Sequence, residues 1–169
     1  MMVGLVFPKR ALAAFAALAL AACGGEAAQE SAQPAAVEEQ AADTHPVSGL
    51  QIIPVTLNTS AGTHVVQAEV ANTEDSQRRG LMFRDEMGLD EGMIFTYDAP
   101  RPQSFWMRNT FIPLDLIFID ENYEVINIAR GEPYNEEPVT SDRDGIAVLE
   151  LNAGRAEELG LQPGDTVEW

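Results

Sequence analysis

Leu114-Asp115-Leu116-Ile117-Phe118-Ile119, then Asp120-Glu121-Asn122, then Tyr123-Glu124-Val125-Ile126-Asn127-Ile128-Ala129-Arg130, decides the fold class. Two runs rich in Ile, Val and Phe flank a polar triplet, the pattern of an antiparallel hairpin. Upstream, Leu50 to Leu57 and Thr63 to Ala71 read as strands about the turn Asn58-Thr59-Ser60-Ala61-Gly62. Val66, Ala68 and Val70 alternate there with Gln67 and Glu69. Asn72 and Thr73 read as caps of a short helix reaching about Met82, with Glu74 and Asp75 at its positive end. Met93 to Tyr97 and Ser104 to Arg108 are short strands around the Pro100-Arg101-Pro102 loop. Downstream, Gly131 to Gly145 is a polar loop and Ile146 to Leu151 a strand. Ala153 to Leu159 is a second short helix capped by Gly160. Pro163-Gly164-Asp165 turns into a last strand, Thr166 to Trp169. About seven short strands and two short helices in residues 50–169 predict one α+β, β-rich domain. Its sheet is expected to be mostly antiparallel and barrel-like or strongly curved.

The N-terminal end reads as targeting. Lys9 and Arg10 precede the apolar run Ala11 to Ala22, which is too short to span a bilayer but fits a signal h-region. Leu20-Ala21-Ala22-Cys23 resembles the lipobox of bacterial lipoproteins, which implies cleavage before Cys23 and acylation of its thiol and amine. The alternative is an ordinary secretory signal cut near Ala22. At about 0.8 kcal/mol per buried methylene, several acyl chains such as palmitate give an essentially permanent anchor. Residues 23–49 then form a linker of Ala, Glu, Gln, Pro and Ser, too poor in large apolar groups to offset its ordering entropy. About 25 such residues span roughly 25–30 Å. Gly24 stands where enteric-type lipoproteins retained at the inner membrane carry aspartate, so the resemblance implies the periplasmic face of the outer membrane.

The chain is acidic, with 10 Lys+Arg, 27 Asp+Glu and net charge −17. Loss of residues 1–22 removes Lys9 and Arg10 and no acid, leaving 8 bases, 27 acids and net −19. Such a surface repels phosphate backbones and anionic headgroups. Nucleic acid is excluded as a partner, and membrane contact is expected through the lipid alone. An envelope protein or a small molecule remains as partner. Acylation of Cys23, the single cysteine, leaves neither disulfide nor thiolate.

Several blocks carry a family resemblance. They are Arg79-Gly80-Leu81-Met82-Phe83-Arg84, Gly92-Met93-Ile94-Phe95 and Ser104-Phe105-Trp106-Met107-Arg108-Asn109-Thr110. Pro113-Leu114-Asp115-Leu116-Ile117-Phe118-Ile119 and Val148-Leu149-Glu150-Leu151-Asn152-Ala153-Gly154 complete the set. In this order they resemble a widespread bacterial and archaeal family, the domain of unknown function 192. The resemblance implies a compact β-rich fold, often behind a signal or lipoprotein peptide, and no particular reaction. Arg108 departs from it, since lysine is common there; a planar fork replaces a point charge.

Four groups of residues could carry chemistry. Met82, Met93 and Met107, with Met87 near, could hold Cu(I) through soft thioethers, or could simply fill an irregular core. Alternation puts Phe105 and Met107 on one face and Trp106 on the other, so Trp106 either offers a platform to a sugar, peptide or partner or packs under the Pro100 to Pro102 loop. Asp115 and Glu150 interrupt apolar runs. They could act as a hydrolytic acid–base pair, or be buried and paired with Arg79 and Arg108. Asn109 and Thr110 suit a turn, or the mouth of a cleft. The histidines, His45 and His64, fall outside the central motifs, and GxGxxG, P-loop and cysteine zinc patterns are absent. No cofactor is expected. The leading expectation is a non-catalytic binding cleft formed by Arg79, Met82, Trp106, Asn109 and Asp115, with Glu150 a further candidate.

Overall fold

The computed structural model describes residues 43–169. The expected signal segment, Cys23 and the expected linker as far as residue 42 lie outside the described residues. Nine strands and two helices follow in order: β1 (Ile52–Thr59), β2 (Gly62–Ala71), α1 (Glu74–Arg79), β3 (Glu91–Arg101), β4 (Ser104–Phe105) and β5 (Leu114–Ile119). Then come β6 (Val125–Gly131), β7 (Val139–Thr140), β8 (Gly145–Asn152), α2 (Arg155–Glu158) and β9 (Thr166–Glu168). Seven strands make one mixed sheet in the order β6-β5-β8-β3-β2-β1-β9, and β4 and β7 make a small second sheet.

The hairpin of β5 and β6 pairs from Leu114↔Gly131 to Ile119↔Val125. Asp120 ends it by accepting from the backbone N–H of Asn122 at 2.9 Å and Glu124 at 3.1 Å. All six residues of β5 are buried, because both faces of the sheet are covered. One face carries Val55, Leu57, Ile94, Ile117, Leu149 and Val167 against Ala156 and Leu159 of the α2 region. The other carries Met93, Phe95, Leu116, Phe118 and Val148 beneath Leu81 and Met107. A run apolar at every position but Asp115 is what two-sided burial selects.

Seven of the expected elements, β1, β2, β5, β6, β8, α2 and β9, stand within two residues of their predicted bounds. Four features differ. Every ladder in the main sheet is antiparallel except β2 with β3, which runs parallel from Gln67↔Glu91 to Ala71↔Phe95. The sheet is strongly built but is not closed into a barrel. Its outermost strands meet only through the isolated bridge Glu124↔Thr166 and neighbouring backbone bonds such as Val125 N–H to Asp165 O, 2.8 Å. Strand β4 stops at Phe105, because the Met107 N–H turns away to donate to Asn135 O at 2.8 Å. The expected loop 131–145 contains β7.

Order also begins before Leu50. Thr44 bridges Gln51, and the Gly49 N–H donates to His45 O at 2.8 Å. Asp43 to Gly49 therefore belong to the folded domain and not to the linker. The cause is a buried carboxylate, Glu69 (4% exposed), that takes donors from this turn and from Arg84. Ser48 Oγ donates to it, Arg84 Nη2 lies 2.8 Å from both its oxygens, and His45 Nε2 stands 3.7 Å away. A charge this deep requires such partners.

Candidate functional site

A cleft lies between α1 with its following turn and the β4–Trp106 segment, with β3 and β8 beneath. Thr73 starts α1 with a capping box: its Oγ1 accepts the Ser76 N–H at 3.2 Å, and Ser76 Oγ accepts the Thr73 N–H at 3.0 Å. Gln77 pins the helix to the sheet end by donating to Thr96 O at 2.9 Å. Gly80 then reverses the chain at φ +49°, ψ −137°, and a Cβ there would stand 3.3 Å from the Phe95 ring. The left-handed φ calls for a glycine, and the ring leaves a Cβ only tight room. The reversal sends Leu81 into the core and leaves Arg79 and Met82 on the cleft.

Across the cleft, Trp106 is 49% exposed while Met107 is 1% exposed. The alternation read from the sequence holds although the strand has ended. The Arg108 guanidinium sits 5.7 Å from the Trp106 ring centroid. Asn109 adopts φ +55°, a conformation its short amide tolerates, and its carbonyl accepts the Phe83 N–H at 2.9 Å. Thr110 N–H closes the turn on Met107 O at 3.1 Å. The two residues thus take the turn role expected of them, with Thr110 also lining the cleft.

Glu150 forms the floor. On β8 it stands opposite Met93 of β3 and Leu116 of β5. It is 5% exposed and lines a cavity of about 270 Å³ walled by Phe95, Tyr97, Phe105 and Trp106. No described residue donates a hydrogen bond to its carboxyl. Burial pushes that carboxyl up to about 8, so it carries a proton at neutral pH. The Tyr97 hydroxyl is also raised, first by burial; the hydrogen bond and charge of Arg101 oppose this, and the Glu150 charge adds to it. Arg101 stacks 4.0 Å over the Tyr97 ring.

Arg79, Met82, Trp106 and Glu150 line this one cavity. Asn109 joins Arg79, Met82 and Trp106 in an adjoining outer groove. Asp115 does not belong to the site. Its cross-strand partner is Leu151, whereas Glu150 pairs with Leu116, so the two carboxylates point to opposite faces of the sheet. Asp115 Oδ2 instead accepts the backbone N–H of Gly154 at 2.8 Å and Ala156 at 3.0 Å, anchoring the start of α2. An acid–base pair of Asp115 and Glu150 is thereby ruled out.

The expected arginine partners differ as well. Asp115 has Arg130 at 3.7 Å, Arg108 faces Glu136 at 4.0 Å, and Arg79 has no carboxylate within 4.0 Å among the described residues. Met93 and Met107 are sealed in the core and only Met82 reaches the cleft, so the three methionines do not line one cavity. Among the described residues no group of three or more His, Cys, Asp or Glu is placed to hold a metal ion. His64 stands on β2 away from the cleft, and His45 serves the Glu69 cluster.

Sequence reasoning missed Gln77, Phe95 and Tyr97 as cleft residues. Tyr97 carried a signal, since it is the aromatic that ends the apolar run from Met93. Gln77, polar in a polar helix, carried none.

No described helix is long and apolar enough to cross a membrane. No curated protein matches the chain. A crystal structure of a protein of unknown function from Novosphingobium aromaticivorans DSM 12444 is similar at 51% identity and TM-score 0.74, over 78% of this chain and 95% of that one. A second, from Sinorhizobium meliloti 1021, for which a role as a transcription regulator has been suggested, is similar at 37% identity and TM-score 0.68, over 70% of this chain and 94% of that one. The family DUF192, described as "Uncharacterized ACR", matches residues 55–169. With the motif blocks, the fold and the family match in agreement, the chain belongs to the DUF192 family.

Proposed function

We propose that this protein is a non-catalytic binding module of the bacterial cell envelope, held by acylated Cys23 on the periplasmic face of the outer membrane. One observation carries the binding reading: a half-exposed tryptophan overhangs a cavity whose floor is a buried carboxyl without a donor. A concave, aromatic-walled site with a few polar groups is the usual form of a small-molecule or glycan pocket. Its lining contains no histidine or cysteine, so it offers neither a Ser-His nor a Cys-His pair for nucleophilic catalysis. The net charge of −17 also argues against carrying the transcription suggestion of the Sinorhizobium relative to this chain.

Two measurements test the proposal. Thermal-shift screening of small-molecule and glycan panels against the wild type, Trp106→Ala and Arg79→Ala should yield hits whose shift disappears in both variants. Hits that persist in both would remove the cleft from the account. Labelling cells with an alkyne analogue of palmitate should mark the wild type and not Cys23→Ala, with the protein in the outer-membrane fraction. An unlabelled wild type would end the anchoring part.

A further inference from the structure

We infer that the cleft takes a zwitterionic ligand of the α-amino-acid class, its ammonium group on Glu150 and its carboxylate on Arg79. This deepens the binding reading above and rests on it. The floor supplies the first half. Glu150 is 5% exposed, opens into the cavity, and receives no hydrogen bond from any described residue. Its neighbours across the ladders, Met93 and Leu116, are apolar, so nothing on β3 or β5 beside it offers a positive charge. The ionisable groups that share the cavity are Tyr97 from β3 and Arg78 and Arg79 from α1. Arg101 is taken up by the Tyr97 ring at 4.0 Å, and Arg78 pairs with Asp75 at 3.2 Å. A buried acceptor with no donor of its own is completed by a donor that the ligand brings.

The walls favour a cation in that position. Phe95, Tyr97 and Trp106 line the cavity together with Glu150, and aromatic rings attract ammonium groups. The rim supplies the second half. Arg79 has no carboxylate within 4.0 Å among the described residues, and a guanidinium matches a carboxylate with two parallel hydrogen bonds. A bare amine would feel repulsion from Arg79, and a bare acid would leave Glu150 without its partner. A molecule with both charges answers both groups. The cavity of about 270 Å³ has roughly the bulk of nine waters, a size that suits a free amino acid or the terminal residue of a small peptide.

Isothermal titration calorimetry at pH 7 tests this. The probes are glycine, L-alanine, L-leucine and L-phenylalanine, the same skeletons without the amine (propionate, 3-phenylpropionate), and phenethylamine, which lacks the carboxylate. At least one amino acid should bind, and loss of either charge should weaken it at least tenfold. Glu150→Gln should weaken the amino acid by about a hundredfold, whereas Arg79→Gln should abolish the preference for amino acid over amine. Capture of the ammonium requires an ionised Glu150, so binding should release close to one proton, read from buffers of different ionisation enthalpy. Equal binding of 3-phenylpropionate, full affinity in Glu150→Gln, or no binding by any amino acid would each overturn the inference. If the amino acids fail while the thermal-shift panels give Trp106-dependent hits of another class, the binding reading stands and only the ligand class falls. If both fail, both fall.

Discussion

Replacing Glu150 by glutamine should make the domain more stable, and increasingly so as pH rises. Glu150 is buried, and its carboxyl titrates at about 8 in the fold instead of at the ordinary 4.5. The folded protein therefore keeps a proton that the unfolded chain gives up. The contribution is fully present below about pH 4.5 and is lost as pH rises toward 8, after which it changes no further. At about 1.4 kcal/mol per pH unit, the loss is about 3 kcal/mol at pH 7 and about 5 kcal/mol at pH 9. Glutamine has nearly the shape of the protonated acid and never ionises. Glu150→Gln should thus exceed the wild type by these amounts, a rise in Tm on the order of 10 °C at pH 7 for a domain of this size. Urea denaturation followed by circular dichroism at pH 5, 7 and 9 reads the difference directly. Comparison with the variant cancels the titration of the other acidic residues. Parallel wild-type and variant profiles from pH 5 to 9 would refute the reasoning, because Glu150 would then titrate alike in the folded and unfolded chains.

Other substitutions separate structure from site. Asp115→Ala removes the acceptor for two N–H groups at the start of α2, and should lower stability by about 2–3 kcal/mol in urea while leaving ligand binding at Trp106 unchanged. Arg84→Ala strands the buried Glu69 carboxylate, and should cost about 3–5 kcal/mol by the same assay. Gly80→Ala places a side chain at φ +49° and 3.3 Å from Phe95; a loss of about 1–3 kcal/mol is expected, with weakened binding because Arg79 and Met82 shift with the turn. Trp106→Ala removes a half-exposed ring, and should change stability by less than about 1 kcal/mol while abolishing binding.

Local chemistry was legible in the sequence wherever it was periodic. The β5–β6 hairpin, the Thr73 cap and the outward face of Trp106 all follow from neighbours within a few residues. What escaped depends on register between strands distant in sequence. Asp115 and Glu150 look equivalent, each a lone acid in an apolar run. Only the pairing of Asp115 with Leu151 separates them, giving one to a helix start and the other to a cavity. The parallel contact of β2 with β3 depends equally on how the chain returns through α1 and residues 80–90. The turn at Asp43 to Gly49 has the polar composition of a linker. Its order comes from Glu69, a residue on β2 whose burial alternation alone does not announce.

The position of β9 has a consequence for how the chain acquires its shape. These three residues pair with β1 through Thr56↔Glu168, Leu57↔Val167 and Asn58↔Thr166, and Thr166 also reaches Glu124. Strand β9 thus stitches the first strand of the sheet to the hairpin made midway along the chain. A chain in which Thr166 to Glu168 have not yet docked leaves both β1 and the β5–β6 hairpin without this neighbour. Completion must wait for β9, so the domain stays open to strand exchange and to proteases until that strand is in place.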